Sequence, residues 1–281
     1  MARAAPWHLK FGYLSSHPLV IGAPASALLP AASPGSAAAN DSSALVLRKS
    51  SWLGLQAAPA SGSGLSPLSL TLASGLLVTL PVFLQAPWVR LAPFSAALFT
   101  VPLLGLALLL SGHRNPGAAR AGELLVGFCG SWLGGCLFWG WFRLHPLFHL
   151  PIEAFALPLA LTGLQGRWKL ACGFYLGSLL GTAATDAAMA ATGVMAFWPQ
   201  VLSASPPEAS LLLQSLARQV LSPFALAIVG TVAGMLIQAC RWLWRQGEAG
   251  RISGAALATT LAVDGLFLLA ALVAPALTGL I

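Results

Sequence analysis

Long runs of apolar residues, separated by short polar segments, make up most of the chain after residue 67. A helix needs about 20 residues to cross the hydrocarbon core of a bilayer, because each residue advances it by about 1.5 Å. Seven runs approach or exceed this length, at residues 68–86, 93–111, 121–142, 150–165, 170–197, 219–240 and 254–278. They lack the apolar–polar alternation of membrane-spanning strands. The pattern predicts an all-α, polytopic transmembrane helix bundle of about seven spans.

The fourth run differs from the others because it is short and contains Pro151 and Pro158. Proline in a helix interior removes a hydrogen bond and kinks or breaks the helix. We therefore expect a kinked or re-entrant fourth span.

The basic residues predict the orientation of the bundle, since loops on the cytoplasmic side retain Lys and Arg. With seven spans and the N-terminus inside, the C-terminus lies outside. Only Arg90, Arg143 and Arg218 then lie outside. The other eleven of the 14 basic residues lie inside: Arg3, Lys10, Arg48, Lys49, Arg114, Arg120, Arg167, Lys169, Arg241, Arg245 and Arg251. Removing one span would destroy this alternation, so the charges support the fourth span.

Residues 1–66 have a different composition from the rest of the chain. Between residues 21 and 44, 19 of 24 residues are Ala, Ser, Pro or Gly, with no helical or strand periodicity. Such segments do not bury enough apolar surface to fold. We expect a low-complexity, disordered tail at residues 1–66 and a transmembrane helical domain at residues 67–281.

Composition narrows the function classes. Hydrophobic residues make up 57% of the chain and charged residues 7%, whereas soluble domains average about 25% charged residues. This low charged fraction excludes a water-soluble enzyme.

The net charge of +7 is scattered between apolar runs and forms no basic face, so nucleic acid is not an expected partner. The four cysteines form no CxxC pair, so no zinc site is indicated.

Two acids lie deep in predicted spans, Asp186 in the fifth and Asp264 in the seventh. An ionisable residue inside a membrane is a functional candidate by default. Both are expected near the bilayer midplane, where they would face each other or a shared cavity. One interpretation is a proton- or cation-binding pair in a transport path. The other is that the acids, bonded to nearby threonines, hold helices together.

A stripe of small residues precedes Asp186. Gly177, Gly181 and Thr185 are each four residues apart, which places them on one helix face. Small residues in this pattern let another backbone approach closely. We expect the fifth helix to be central in the bundle.

A second candidate cluster is expected at the outer membrane boundary, between the third and fourth spans. His145, His149 and Glu153 are spaced by four residues, but Pro146 and Pro151 argue against one continuous helix. One interpretation is a metal, haem or chlorophyll ligand set. The other has Glu153 in the first turn of a helix beginning at Pro151, paired with Arg143, beside two interfacial histidines. The cluster comprises Trp139, Trp141, Arg143, His145, His149 and Glu153.

Sequence motifs do not indicate an enzyme. The chain contains no HExxH, GxSxG or Walker sequence, so no catalytic or metal-binding residues are assigned.

The segment from Ser205 to Glu208 has the composition of a helix start, with prolines and an acid in the first turn. The leucines that follow predict a short amphipathic helix on the outer surface.

Three stretches carry a family resemblance: residues 81–87, residues 139–154 with the Trp-Gly-Trp and His-Leu-Pro-Ile-Glu-Ala sequences, and residues 174–186. Over residues 68–275 the chain resembles an uncharacterised family of cyanobacterial multi-pass integral membrane proteins, known as a domain of unknown function. The resemblance implies a cyanobacterial plasma or thylakoid membrane, and no activity.

These observations favour a small-solute or ion carrier, or a membrane substrate-binding subunit, that uses Asp186 and Asp264. The alternative is a non-catalytic assembly or scaffold protein of photosynthetic membrane complexes, with a bound pigment or haem as a further option. The expected partners are the lipid bilayer and other membrane subunits. No cofactor is assigned.

Overall fold

A computed structural model describes residues 66–274, and every regular element in that range is helical. The α-helices are α1 (Pro67–Leu80), α2 (Ala86–Leu91), α3 (Pro93–Leu98), α4 (Thr100–Ser111), α5 (Pro116–Leu137), α6 (His149–Glu153), α7 (Leu157–Gly163), α8 (Lys169–Ala191), α9 (Trp198–Ser203), α10 (Pro206–Val220), α11 (Pro223–Leu243) and α12 (Gly247–Val273). Short 3-10 or π-helical turns join several of them. The expected tail lies outside the described residues, except for Ser66, and stays a prediction.

Several helices begin at a polar cap followed by proline. The Asn115 side chain accepts from the backbone N–H of Gly117 at 2.8 Å, and Ser222 caps α11 in the same way. Helix α10 begins at Pro206, as the sequence predicts, and the backbone N–H and hydroxyl of Ser205 donate to the Glu208 carboxylate in its first turn. These caps satisfy N–H groups that have no partner inside the helix, and proline at the first position removes another.

The helices give the chain the dimensions of a membrane-integral protein. Within residues 66–274, six helical segments are long and apolar enough to cross a bilayer, and a seventh qualifies only when α8 is taken together with the bent helix after it. The six are Leu68–Leu91, Pro93–Ser111, Pro116–Phe142, Pro146–Gly163, Pro223–Leu243 and Gly247–Val273.

The fourth segment is broken as expected, but it begins at Pro146, earlier than the apolar run. It consists of a 3-10 turn at Pro146–Phe148, helix α6, a second 3-10 turn at Ala154–Ala156, and helix α7. The Tyr175 hydroxyl donates to the backbone carbonyl of Glu153 and accepts from the N–H of Ala156 at 3.2 Å. Tyr175 thus satisfies backbone groups at the break.

The fifth predicted span is too long. Helix α8 ends at Ala191, and the chain then bends by 88° into a short helical segment. Gly193 has a φ of +75°, a backbone conformation that glycine adopts without steric penalty. Asp186 is therefore only five residues from the end of α8, and its midplane position stays a prediction.

Helix α8 packs between α5 and α12 at the centre of the bundle. A Cβ at Gly177 would lie 2.5 Å from the Ser253 carbonyl oxygen, and one at Gly181 would lie 2.7 Å from the Thr260 side chain. The small-residue stripe therefore faces α12. The Ser253 hydroxyl donates to the carbonyl of Gly173, which adds a polar contact across the same interface.

Helix α10 is amphipathic, as expected, and separate from the next span. Leu216 and Ala217 are buried, whereas Glu208 is exposed. The Gln214 side chain donates to the Leu272 carbonyl at 3.5 Å, near the end of α12. The apolar face of α10 thus covers this end of the bundle.

Candidate functional site

His149 lies between two carboxylates that come from different helices. Its Nδ1 is 3.1 Å from Oδ1 of Asp186 in α8, and its Nε2 is 3.2 Å from Oε1 of Glu153. Carboxylate oxygens only accept hydrogen bonds, so an imidazolium with a proton on each nitrogen donates to both. The structure therefore joins the two sequence-predicted clusters into one site.

The local helix geometry sets the His149–Glu153 contact. Helix α6 begins at His149 and ends at Glu153, so the two side chains are one turn apart on the same face. Pro151 is tolerated because N–H groups in the first turn have no partner within the helix. Glu153 is the last residue of α6, which corrects the expected first-turn position after Pro151. Its ionic partner is His149, not Arg143.

Aromatic rings fix the orientation of the imidazole. The Phe138 ring stacks on His149 with a centroid distance of 4.1 Å and an interplanar angle of 26°. Trp139 approaches the imidazole edge-on at 6.4 Å and contacts Trp198 at 5.9 Å. The His149 side chain retains 19% exposure. The ring therefore has little freedom to turn away from its two carboxylates.

Asp264 joins the site from α12. The Thr185 hydroxyl donates to Oδ2 of Asp264 at 2.5 Å. Thr185 immediately precedes Asp186 in α8. The two acids are therefore linked through Thr185, which bonds Asp264 and is joined to Asp186 by one peptide unit. This is a contact of the expected kind between an acid and a nearby threonine.

The acids border a cavity of about 650 Å³, a volume typical of small-molecule sites. Most of its walls are apolar. The polar lining residues are Gln85, Ser131, His149, Glu153, Ser178, Thr182, Thr185, Asp186, Thr192, Thr260 and Asp264. Asp186 and Asp264 thus line a shared cavity, one of the two arrangements expected for them.

Gln85 is a site residue that sequence reasoning did not select. It lies at the end of a π-helical turn, Pro81–Gln85, and is 1% exposed. Its Nε2 donates to the Trp132 carbonyl at 2.5 Å and is 2.8 Å from Sγ of Cys136. In the sequence, the signal for this residue was an amide side chain within the apolar run at residues 68–86. Turns of π-helix are rare and often occur at functional sites.

The remaining members of the outer-boundary cluster lie apart from the cavity. Trp141 packs edge-on against Phe94 at 5.1 Å and is 41% exposed. Arg143 and His145 are exposed, and the His145 ring contacts Phe148. Only Trp139, His149 and Glu153 of the cluster therefore line the site.

The arrangement does not fit the metal-ligand interpretation. Within residues 66–274, no group of three or more His, Cys, Asp or Glu side chains is placed to hold a metal ion. The reason is geometric, since Glu153 and Asp186 contact opposite edges of the imidazole. Both ring nitrogens are thereby occupied, and the three side chains do not converge on one point.

A family model described as "Protein of unknown function (DUF3120)" matches residues 74–272. The match covers most of the chain and all the site residues named above, and the chain belongs to this family. No curated protein and no solved structure matches it.

Proposed function

We propose that this member of the DUF3120 family is a non-enzymatic carrier, or membrane substrate-binding subunit, that holds a small solute in the cavity between its helices. The observation that carries the proposal is the convergence of three carboxylates and one histidine on a cavity of about 650 Å³. Charged groups inside a membrane domain are costly, and they mark substrate and ion pathways. The broken fourth segment supports the proposal, because discontinuous helices often form transporter binding sites.

The proposal includes seven spans with the N-terminus inside and the C-terminus outside. Arg120 at the start of α5 lies 3.3 Å from Glu248 at the start of α12. Both helices would then begin on the same membrane face, as the alternation requires. The sequence resemblance supports a cyanobacterial plasma or thylakoid membrane as the location.

A deletion strain tests the carrier function even while the solute is unidentified. Small-molecule profiles of the deletion strain and the parent should differ in the transported solute, and wild-type protein should restore the profile. Ala188→Trp places a large ring into the cavity lining and should fail to restore it. Leu180→Trp is the matched control on the same helix, because Leu180 is exposed and does not line the cavity.

The carboxylates provide a second test. Asp186→Asn and Asp264→Asn keep the side-chain size and remove the charge, so each should impair complementation. Full complementation by both, together with full activity of Ala188→Trp, would contradict the carrier proposal. Stable co-purification with a larger complex in mild detergent would then favour the assembly or scaffold alternative.

A further inference from the structure

The charged side chains around the cavity are mostly acidic. Glu153, Asp186 and Asp264 line it, and His149 is the one basic side chain among them. No Lys or Arg appears in the lining formed by the described residues. Even with a protonated His149, ionised carboxylates leave the cavity negative. In a medium of low dielectric constant, an unbalanced negative site favours a cationic occupant.

The free atoms at the cavity are hydrogen-bond acceptors. In the described part of the chain, each carboxylate uses one oxygen for a protein contact, to His149 or to Thr185. Its second oxygen accepts no hydrogen bond from these residues. Such oxygens suit a ligand that donates, because an ionised carboxylate can accept at both of its oxygens.

Gln85 adds an independent acceptor. Its amide nitrogen is engaged by the Trp132 carbonyl, so the amide orientation is set and Oε1 is the remaining atom. This oxygen accepts no hydrogen bond from residues 66–274, and Gln85, which is 1% exposed, lines the cavity. A donor group on a ligand would satisfy this oxygen.

The imidazole and amide donors at the site are already engaged. Both His149 nitrogens contact carboxylates, and the Gln85 amide donates to backbone. An anionic solute would therefore find few N–H groups and several negative charges. The neutral hydroxyls of the lining offer no charge compensation.

Aromatic and aliphatic walls define the rest of the ligand. Phe138, Trp139 and Trp198 line the cavity beside the acids. The faces of such rings attract cations, and their area buries apolar groups. A bare metal ion fits poorly, since the described residues form no metal-binding group.

We infer that the cavity binds a small organic cation with N–H donors, an alkyl- or arylammonium whose head contacts the carboxylates and whose apolar body contacts the aromatic wall. This inference rests on the proposed function, in which the cavity holds a solute.

A matched set of probes tests the ligand class on the full chain purified in mild detergent. Benzylamine, benzyl alcohol and benzoate share one ring and differ in charge, and benzyltrimethylammonium keeps the charge without N–H donors. Tryptophan fluorescence is a suitable readout, because Trp139 and Trp198 line the cavity. Benzylamine should bind at least tenfold more tightly than each of the other three.

Variants locate the binding. Asp186→Asn and Glu153→Gln should each weaken benzylamine about tenfold or more, since removing one partner of a desolvated charge pair is strongly unfavourable. Glu208→Gln is the control, because Glu208 is exposed outside the cavity and its removal should leave affinity unchanged. Melting temperatures measured without a probe show whether each variant is folded. The carboxylate variant whose melting temperature changes less is then used to judge the effect on benzylamine affinity.

Three outcomes are possible. Preferential benzylamine binding that Ala188→Trp and a carboxylate variant abolish supports the inference. Equal or tighter binding of any of the other three probes, blocked by Ala188→Trp, overturns the ligand class while leaving the carrier proposal intact. Absence of binding, or binding that Ala188→Trp does not affect, also overturns the inference. The cell test of Ala188→Trp then decides the carrier proposal separately.

Discussion

Gly177 of α8 and Ser253 of α12 pack with their backbones in contact. A Cβ on Gly177 would lie 2.5 Å from the Ser253 carbonyl oxygen and 2.8 Å from its Cα, closer than non-bonded atoms approach. The neighbouring atoms belong to the backbone, so they cannot move aside as a flexible side chain does. The α8–α12 interface therefore requires glycine at residue 177.

Gly177→Ala should destabilise the protein because it forces the two helices apart. Overpacking of this kind is unfavourable by about 1–3 kcal/mol. Gly234→Ala is the matched control, since nothing lies within 4 Å of a Cβ at that position. The control should be neutral or stabilising, because alanine is the better helix former. Melting temperatures in detergent compare the two, and equal values would contradict the packing argument.

Gln85→Ala should also destabilise the protein, by about 1 kcal/mol or more, because it removes a buried side-chain hydrogen bond to the Trp132 carbonyl. Gln219→Ala is the comparison. Gln219 also donates to a backbone carbonyl, that of Thr192 at 3.2 Å, but it is exposed. Water can replace that contact, so its loss should have little effect. Thermal unfolding of both variants measures the difference, and a larger effect at residue 219 would refute the assignment.

The proposed topology predicts where single cysteines react. Arg114→Cys and Arg245→Cys should both be labelled by a membrane-impermeant thiol reagent only from the cytoplasmic side, whereas Arg143→Cys should be labelled from the opposite side. Cys240 is partly exposed and is replaced by serine first; Cys129, Cys136 and Cys172 are buried. Labelling of residues 114 and 245 from different sides would overturn the arrangement.

The α10 cap predicts a dependence on pH. The backbone N–H and the hydroxyl of Ser205 donate to the Glu208 carboxylate, at 3.1 Å and 2.7 Å. These bonds favour the ionised form and lower the pKa of Glu208 below its ordinary value of 4.5. The stabilisation is present above the unfolded pKa and is lost as the pH falls through the lower folded pKa.

Glu208→Gln provides the measurement for this prediction. The difference in melting temperature between wild type and Glu208→Gln should be largest at neutral pH and should shrink as the pH falls below 4.5. The magnitude is small, since Glu208 is exposed to solvent. A difference that grows on acidification would contradict the capping role.

Sequence patterns predicted the helical segments well because bilayer thickness imposes a length that apolar runs record directly. The start of α10 was expected from its prolines and Glu208. The apolar runs at residues 121–142 and 219–240 did not give the starts of α5 and α11, which lie at the capped prolines Pro116 and Pro223. The 88° bend after α8 was not predicted. The apolar run continues through Gly193, so hydrophobicity alone does not reveal a change of direction.

The site was harder to predict than the helices. Spacing places residues on one face of one helix, which is sufficient for the His149–Glu153 pair and for the stripe that contains Gly177. The contact between His149 and Asp186 spans 37 positions of sequence and depends on how α6 docks against α8. Gln85 was missed because its importance comes from a π-helical turn, which composition does not indicate.

The adjacency of Thr185 and Asp186 has a mechanical consequence. Consecutive residues of a helix point about 100° apart, so Thr185 reaches α12 while Asp186 reaches α6. A rotation of α8 about its own axis would loosen both contacts together. A change at one acid that turns α8 about its axis would therefore also alter the contact at the other acid.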